Sequence, residues 1–137
     1  MARILAIDYG LKRTGIAVSD PLKMIANGLA TIESPGLLKF LEDYFKKEQV
    51  ELILIGEPKS LNQSDTHGTA LVKKMIEQLK VKFPSIPIET IDERFTSKIA
   101  SKTMVDMGLK KKQRQDKSLI DKMAATIILQ DYLSRQP

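Results

Sequence analysis

The sequence predicts an α/β fold with a mixed five-stranded sheet flanked by helices. Short apolar runs bounded by turn residues, which are typical of buried strands, recur between longer segments with apolar residues at helical spacing. The first three predicted strands are joined as hairpins without an intervening helix, the first pair through a longer loop, which makes them antiparallel. The later strands are joined through helices, which makes them parallel with right-handed crossovers. The 137 residues suffice for one hydrophobic core, so we expect a single domain over residues 1–137.

The predicted elements follow in chain order. The five strands are Arg3–Ile7, Ile16–Val18, Ile25–Ile32, Glu51–Ile55 and Pro87–Ile91. The helices are one that begins at Ser34 and Pro35, one that ends near Phe83, then Ser97–Leu109 and Ser118–Arg135. Pro35 suits the first turn of a helix, and Ser118 is a suitable N-cap. Polar residues 59–67 predict a loop before the second helix, and residues 110–117 predict a basic connection before the last one.

Composition excludes several classes of site. The chain contains no cysteine, which excludes disulfides, thiolate metal sites and thiol nucleophiles. Its single histidine, His67, cannot build a histidine-rich zinc site, so any metal must be held mainly by oxygen ligands. The chain opens directly into a strand, and no apolar run approaches the roughly 20 residues that span a bilayer. We therefore expect a cytoplasmic protein without a signal peptide or membrane contact.

The basic residues are concentrated in one segment. The net charge is +5, and residues 95–117 account for all of it with seven basic side chains against Asp106 and Asp116. The basic side chains are Lys98, Lys102, Lys110, Lys111, Lys112, Arg114 and Lys117. A local excess of positive charge in an otherwise balanced chain predicts a polyanionic partner such as nucleic acid. The alternative is a solvated loop whose lysines only maintain solubility.

Acidic residues follow three of the predicted strands. Asp8 comes after the first strand, Glu57 after the fourth, and Asp92 with Glu93 after the fifth. Ligands of open α/β sheets bind outside the carboxyl ends of parallel strands, so we expect these acids to share one edge. Like charges gathered there repel each other unless a cation compensates them. With oxygen ligands only, the predicted cation is Mg²⁺ or Mn²⁺.

A further acid lies in the last predicted helix. Asp121 precedes Ala124 and Ala125 by about one turn, and these small residues would let the helix approach the sheet closely. Carboxylates from different elements that hold divalent cations are suited to phosphodiester hydrolysis. The ordinary alternative for Asp8 is a turn former, and for Asp121 it is an ion pair with Lys117 or Lys122. For Asp92 and Glu93 it is a helix cap, and for Glu57 and His67 it is a solvated loop position.

Three separated motifs resemble those of the RuvX family, also called YqgF. They are Ile7-Asp8-Tyr9-Gly10 with Arg13, Gly15, Ala17, Ser19 and Asp20, then Asp92-Glu93-Arg94-Phe95-Thr96-Ser97, and finally Lys117, Ile120, Asp121, Ala124, Ala125, Ile127-Ile128-Leu129-Gln130, Tyr132 and Leu133. A single Asp-x-Gly is a weak signal, whereas three motifs in the right order along the whole chain are specific. One motif departs from the family, because many members have Gly-Leu-Pro where this chain has Gly56-Glu57-Pro58. Glu57 either adds a metal ligand or is neutral.

The resemblance implies a ribonuclease H-like fold akin to the RuvC junction resolvases. It implies that Asp8, Glu93 and Asp121 are the catalytic acids and hold Mg²⁺ or Mn²⁺. Arg13, Arg94 and Lys117 would then face phosphates, and the basic segment adds Lys110, Lys111, Lys112 and Arg114 to the expected nucleic-acid-binding residues. Family members are described as Holliday junction resolvases and, more recently, as nucleases that mature the 5′ end of pre-16S rRNA. The expected partner is thus nucleic acid, either pre-rRNA or branched DNA, and we expect a monomer or weak homodimer.

Three alternatives to rRNA processing stay open at this point. A Holliday junction resolvase would use the same site on branched DNA. A catalytically inactive RNA-binding module stays open because of the altered Glu57. The Asp8-Tyr9-Gly10 turn also resembles the first phosphate loop of actin-like ATPases and sugar kinases. Those proteins need two such domains, and this chain has one predicted domain without a second glycine-rich phosphate loop.

Overall fold

The computed structural model describes residues 2–57, 67–92 and 117–135. The strands and helices in these ranges are β1 (Arg3–Tyr9), β2 (Arg13–Ser19), β3 (Ala26–Glu33), α1 (Leu37–Lys47), β4 (Val50–Glu57), α2 (His67–Lys82), β5 (Ile88–Asp92) and α3 (Lys117–Arg135). The predicted helix Ser97–Leu109 and most of the basic connection lie outside the described residues. No helix within the described ranges is long and apolar enough to cross a membrane.

The five strands form one mixed sheet in the order β3-β2-β1-β4-β5. β2 pairs antiparallel with both β1 and β3. β4 pairs parallel with both β1 and β5. This arrangement confirms the predicted mixed sheet, since strands joined by short turns are antiparallel and strands joined through helices are parallel.

Three strands, β1, β2 and β4, are longer than the apolar runs that predicted them. β1 continues through Asp8 to Tyr9, and β2 begins at Arg13 instead of Ile16. The extra residues pair across the two strands, with Tyr9 opposite Thr14. Backbone ladder hydrogen bonds form whatever the side chain is, so a strand can extend past its apolar residues.

The helix starts also differ from the prediction. Ser34 and Pro35 belong to a short 3₁₀ turn, Ser34–Gly36, and α1 begins after it at Leu37. His67 is the first residue of α2, so it lies in a helix and not in the preceding loop. α3 begins at Lys117, one residue before the predicted start at Ser118, which is therefore its second residue.

Side-chain alternation along the strands builds one core on each face of the sheet. Leu5 and Ile7 of β1 pack with α1 and α2, whereas Ile4 and Ala6 pack with α3. The first core is formed by Leu5, Ile7, Ile16, Val18, Leu37, Leu41, Val50, Ile53, Ile55, Val72, Met75 and Leu79. The second core is formed by Ile4, Ala6, Ala17, Leu54, Ala125, Ile128, Leu129 and Leu133. α3 is thus the helix that covers the second face.

α3 runs antiparallel to β1, β4 and β5. Near its end, Gln130 Oε1 accepts a hydrogen bond of 3.1 Å from the backbone N–H of Ala26, at the start of β3. Tyr132 hydrogen bonds with Glu89, near the start of β5. Both contacts fix the end of α3 at the amino edge of the parallel strands. The beginning of α3 therefore lies toward their carboxyl edge.

The protonation state of Tyr132 makes the stability of the fold depend on pH in the alkaline range. Burial raises the pKa of the Tyr132 phenol above its usual value of 10.0, and the negative charge and hydrogen bond of Glu89 raise it further. A raised folded-state pKa means that the neutral phenol contributes stability below about pH 10 and that this contribution is lost as the pH rises through the folded-state pKa. We expect Tyr132→Phe to show a shallower fall of the urea midpoint between pH 9 and pH 11 than the wild type. Equal slopes for the two proteins would contradict this assignment.

Candidate active site

The carboxyl ends of the parallel strands meet at one edge of the sheet, which we call the carboxyl edge. Ile7 of β1 pairs with Ile55 of β4, and Glu57 of β4 pairs with Asp92 of β5. Asp8 follows Ile7 directly, so its backbone lies at the same level of the sheet as these last residues of β4 and β5. This is the edge at which open α/β sheets bind ligands.

Asp8 lies on the face of the sheet that α3 covers. Residues two apart in a strand share a face, and Asp8 is in phase with Ile4 and Ala6, which pack in the core beneath α3. Asp8 is half-buried at the end of this row. Its carboxylate is therefore placed where the hydrophobic face of β1 ends and solvent begins.

Positions 57 and 92 are out of phase with Asp8 in this alternation. Glu57 follows Ile55 by two residues, and Ile55 packs in the core beneath α1 and α2. Position 92 follows Ile88 by four residues, so the two share a phase, and Ile88 packs against that same core. The three strand ends thus share an edge, but position 8 has one phase of the alternation and positions 57 and 92 have the other.

α3 brings position 121 toward the same edge as Asp8. Ala125 is buried in the core that contains Ala6, and it lies four residues after position 121. Because α3 runs antiparallel to β1, position 121 lies roughly 6 Å from Ala125 toward the carboxyl edge. Asp8 lies about 6–7 Å from Ala6 in the same direction. The backbone geometry therefore juxtaposes the end of β1 and the first turns of α3.

The remaining predicted site residues fall largely outside the described residues. These are Glu93, Arg94, Lys110, Lys111, Lys112 and Arg114. Lys117 and Asp121 belong to α3, and only their backbone positions are described. Within the described part of the chain, no three His, Cys, Asp or Glu side chains come together as a metal site. Of the three predicted ligands, only Asp8 belongs to that part with its side chain.

Arg13 lies at the start of β2, close to the carboxyl edge. It pairs with Glu33 across β2 and β3 and is half-buried. Together with Leu11 and Lys12 it lines an open groove of about 580 Å³ that continues along β3. Two cationic residues are thus placed beside the turn that follows Asp8.

A buried hydroxyl pair holds the turn between β1 and β2. The Ser34 hydroxyl donates to the carbonyl oxygen of Gly10 at 2.5 Å and lies 2.8 Å from the Thr14 hydroxyl. The Ser34 backbone N–H also donates to the carbonyl oxygen of Lys12 at 2.9 Å. Since Ser34 has one hydroxyl hydrogen, Thr14 is the donor of the second bond. The turn is also tight, because a Cβ at Gly10 would lie 2.5 Å from the carbonyl oxygen of Arg13.

The sequence interpretation missed the roles of Ser34 and Thr14. Ser34 was predicted only as a helix start, and nothing in its local pattern marks a contact with a turn 24 residues away. Thr14 carries a usable signal, since it is in phase with Ile16 and Val18 of the first core. A polar side chain on the apolar face of a strand indicates a buried hydrogen bond.

Removing the Ser34 hydroxyl is expected to loosen this turn. Ser34→Ala leaves the Gly10 carbonyl without its side-chain donor and the Thr14 hydroxyl without its acceptor in a buried site, which costs about 1–3 kcal/mol. We expect a corresponding fall in the free energy of unfolding, measured by urea denaturation. Ser85→Ala, at an exposed position between α2 and β5, is the matched control and should change it little. An equal effect of the two substitutions would contradict the role of the network.

The mixed sheet with its flanking helices belongs to the ribonuclease H-like class of folds, and two solved structures match it. One is the Fowlpox virus resolvase with Holliday junction DNA, with a TM-score of 0.60 and 11% identity over 96% of this chain and 97% of that chain. The other is RuvC from T. thermophilus with a Holliday junction substrate, with a TM-score of 0.56 and 14% identity over 98% of this chain and 96% of that chain. The predicted ribonuclease H-like fold is confirmed.

Within this class, the chain belongs to the RuvX family. The family pattern, described as that of a Holliday junction resolvase, matches residues 2–135. A relative from Christiangramia forsetii is 56% identical over 97% of this chain and 98% of its own length. Another from Flavobacterium psychrophilum is 57% identical over 99% of both chains. Each carries the name "putative pre-16S rRNA nuclease". The resemblance drawn from the three motifs is thereby confirmed.

Proposed function

We propose that this protein is a metal-dependent nuclease that hydrolyses phosphodiester bonds in structured RNA, with the 5′ end of pre-16S rRNA as its substrate. The observation that supports the proposal best is the placement of Asp8 at the carboxyl edge, on the face covered by α3 and level with position 121. The names of the relatives from C. forsetii and F. psychrophilum support the choice of substrate. We propose action in the cytoplasm as one domain, 1–137, and as a monomer or weak homodimer.

The oxygen ligands that the chain offers fit a hard divalent cation. Asp8 offers a half-buried carboxylate, and the chain has no cysteine and one histidine. Carboxylate oxygens are the ligands that Mg²⁺ and Mn²⁺ prefer, so we propose Asp8, Glu93 and Asp121 as the residues that hold either ion. When bound, divalent cations supply activation of water and compensation of charge on the leaving oxygen.

The side-chain alternation along β5 favours Glu93 over Asp92 as the metal ligand that joins Asp8. Ile91 packs against the core beneath α3, where the row that ends in Asp8 also packs. Glu93 stands two residues after Ile91, so a continuation of β5 by one residue would bring it onto this face. By the same argument, Glu57 is out of phase with Asp8, and we do not assign it to the ligand set.

The cationic residues would bind the substrate strand on both sides of the site. We propose Arg13, Arg94 and Lys117 as phosphate contacts, joined by Lys110, Lys111, Lys112 and Arg114 of the basic segment. Arg13 lies beside the turn that follows Asp8, which supports its role. Phosphate contacts position the substrate without reading its sequence, so the fold of the RNA must supply the specificity.

Reversing the charge of the basic segment is expected to weaken binding uniformly. With Lys110, Lys111 and Lys112 replaced by glutamate, fewer counterions are released from the nucleic acid, so the slope of log K against log salt becomes shallower by up to about one per lost phosphate contact. Fluorescence anisotropy with a labelled pre-rRNA fragment at several salt concentrations measures it. The matched control is glutamate at Lys39, Lys46 and Lys47 of α1, which should leave the slope unchanged. Equal slopes for both triple variants would contradict the assignment.

A Holliday junction resolvase is the second candidate function. The description of the matching family pattern favours it. Chemistry alone does not separate the candidates, because the attacked bond is a phosphodiester in both. A resolvase cuts two strands symmetrically, which requires a two-fold dimer, whereas processing of one RNA end does not.

One experiment tests the proposal against both alternatives. The purified protein is incubated with Mg²⁺ or Mn²⁺ and with labelled pre-16S rRNA fragments, duplex DNA and four-way junctions. Cleavage at the 5′ end of the RNA, abolished by EDTA, is the expected result. Symmetric cleavage of the four-way junction alone would favour the resolvase. Binding to RNA without cleavage of any substrate would leave a catalytically inactive RNA-binding module.

A further inference from the structure

A cleft of about 230 Å³ opens between α1 and α2, directly below the end of β1. Its apolar walls are formed by Pro35, Leu38, Leu71 and Met75, and Tyr9 contributes an aromatic ring. Drug-sized ligands occupy pockets of about 300–1,000 Å³, so this cleft suits a smaller group. An aromatic ring among aliphatic side chains is the environment in which proteins hold unstacked nucleobases.

The rim of the cleft is polar. Lys74 and Gln78 both line it, and both are exposed on α2. They are four residues apart, so they stand one above the other on the same side of the helix. An amide can both donate to and accept from the edge of a base, and an ammonium group pairs with a phosphate. The rim therefore offers one group for the base and one for the phosphate of a nucleotide.

The cleft lies on the opposite face of the sheet from Asp8, but Tyr9, which lines the cleft, follows Asp8 directly in the chain. Tyr9 packs against the core beneath α1 and α2, whereas Asp8 is in phase with the core beneath α3. Their Cα atoms are separated by one peptide unit, about 3.8 Å. A strand with a phosphate at Asp8 can therefore cross the carboxyl edge and reach the cleft with a neighbouring nucleotide.

The cleft continues as an open groove along the two helices. This groove has a volume of about 460 Å³ and shares Leu38, Lys74 and Gln78 with the cleft. It leads away from the carboxyl edge to Val81, which is 83% exposed, and to Lys82, which pairs with Glu42 at 3.0 Å. Glu77 also lines the groove, so among the residues that the structure describes the free lysine charge lies at its cleft end, at Lys74, and the rest of the groove is a path along the surface.

We propose that the cleft beneath Tyr9 binds one unpaired nucleobase of the substrate strand, next to the phosphate held at Asp8. The inference rests on the proposed nuclease function and extends it to the class of substrate. The flanking nucleotides must be single-stranded on this side of the scissile bond, because a paired base does not enter the cleft. Recognition then depends on an unpaired base beside the cleavage site as well as on phosphate charge.

Methionine methyl NMR tests this directly, because Met75 lies in the wall of the cleft. The chain has six methionines, and Met24 is an exposed internal control in the turn between β2 and β3. Protein labelled with ¹³C at the methionine methyls is titrated with an adenylate tetraribonucleotide, without divalent cations. The comparison probe is an abasic tetramer with the same phosphates. Met75→Leu identifies the signal.

We expect the ring current of a bound base to shift the Met75 signal with the adenylate tetramer and not with the abasic one. Lys74→Ala/Gln78→Ala should weaken the titration at least about five-fold, the size expected for one lost hydrogen bond. Lys73→Ala plus Lys80→Ala, on exposed positions of α2 outside the cleft, should titrate within two-fold of the wild type.

Three results would overturn the proposal: an unmoved Met75 signal, equal shifts with both tetramers, or equal titrations of the two double variants. The measurement needs no cleavage, so its outcome is independent of the nuclease assignment. If Met75 shifts as expected while cation-dependent cleavage is absent, the base-binding cleft stands and the proposed catalysis fails. If cleavage is present and Met75 does not move, the nuclease stands and the cleft is not its base site.

Discussion

Replacing Asp8 with asparagine is expected to abolish cleavage while leaving the protein folded. The two side chains have the same shape, so the substitution removes a negative charge and turns a carboxylate ligand into an amide with little change of volume in β1. Divalent cations contribute several kcal/mol to the stabilisation of charge in the transition state. At about 1.4 kcal/mol per tenfold, losing most of that contribution slows cleavage by at least about 100-fold. Single-turnover cleavage of a labelled pre-16S rRNA fragment measures the effect.

The matched control for this prediction is Asp43→Asn. Asp43 is an exposed residue of α1 whose i,i+4 ion pair with Lys39 is 3.4 Å long, and such surface pairs contribute little. Its substitution makes the same chemical change away from the carboxyl edge and should leave cleavage unaltered. RNA binding by Asp8→Asn should persist, because the cationic residues remain. Cleavage by Asp8→Asn at the rate of the Asp43→Asn protein would remove Asp8 from the catalytic residues.

Much of the fold followed from hydrophobic periodicity. The runs around Arg3–Ile7 and Glu51–Ile55 have no polar interruption, so they indicate strands buried on both faces, and both became central strands of the sheet. The short turns and the intervening helices then determined which strands are antiparallel and which are parallel. Ala124 and Ala125 were predicted to pack closely against the sheet, and both are buried.

The phase of the acidic residues could not be predicted from their position after a strand. Asp8 and Glu57 each follow an apolar run, yet they are out of phase because β1 and β4 meet in a register that pairs Ile7 with Ile55. That register depends on packing between distant elements, and a shift of one residue would reverse it. The contact between Ser34 and Gly10 was unpredictable for the same reason, since the two residues come together only in the finished fold.

A layer of three small residues sets how closely α3 approaches the sheet. Ala6 and Ala17 face each other across β1 and β2, and Ala125 packs in the same core. Ala125 is fully buried. Position 121 lies one turn nearer the carboxyl edge on α3, as Asp8 does on β1. The separation between Asp8 and position 121 is therefore controlled by the side-chain volume in this layer.

A larger side chain in this layer should slow cleavage by more than its effect on the free energy of unfolding explains. Ala125→Leu adds three carbon atoms to a packed core, which costs about 1–3 kcal/mol and moves α3 outward. Misplacing catalytic groups by about 1 Å costs roughly 100-fold in rate, so cleavage should fall by that order. Ala125→Gly is the matched control, because it costs about 1 kcal/mol in helix propensity yet preserves the close approach. Urea denaturation and single-turnover cleavage of both variants separate the two effects, since the leucine variant should lose far more cleavage than its fall in stability relative to the glycine variant explains. If the leucine variant is folded and cleaves as fast as the glycine variant, α3 does not contribute a group to the site.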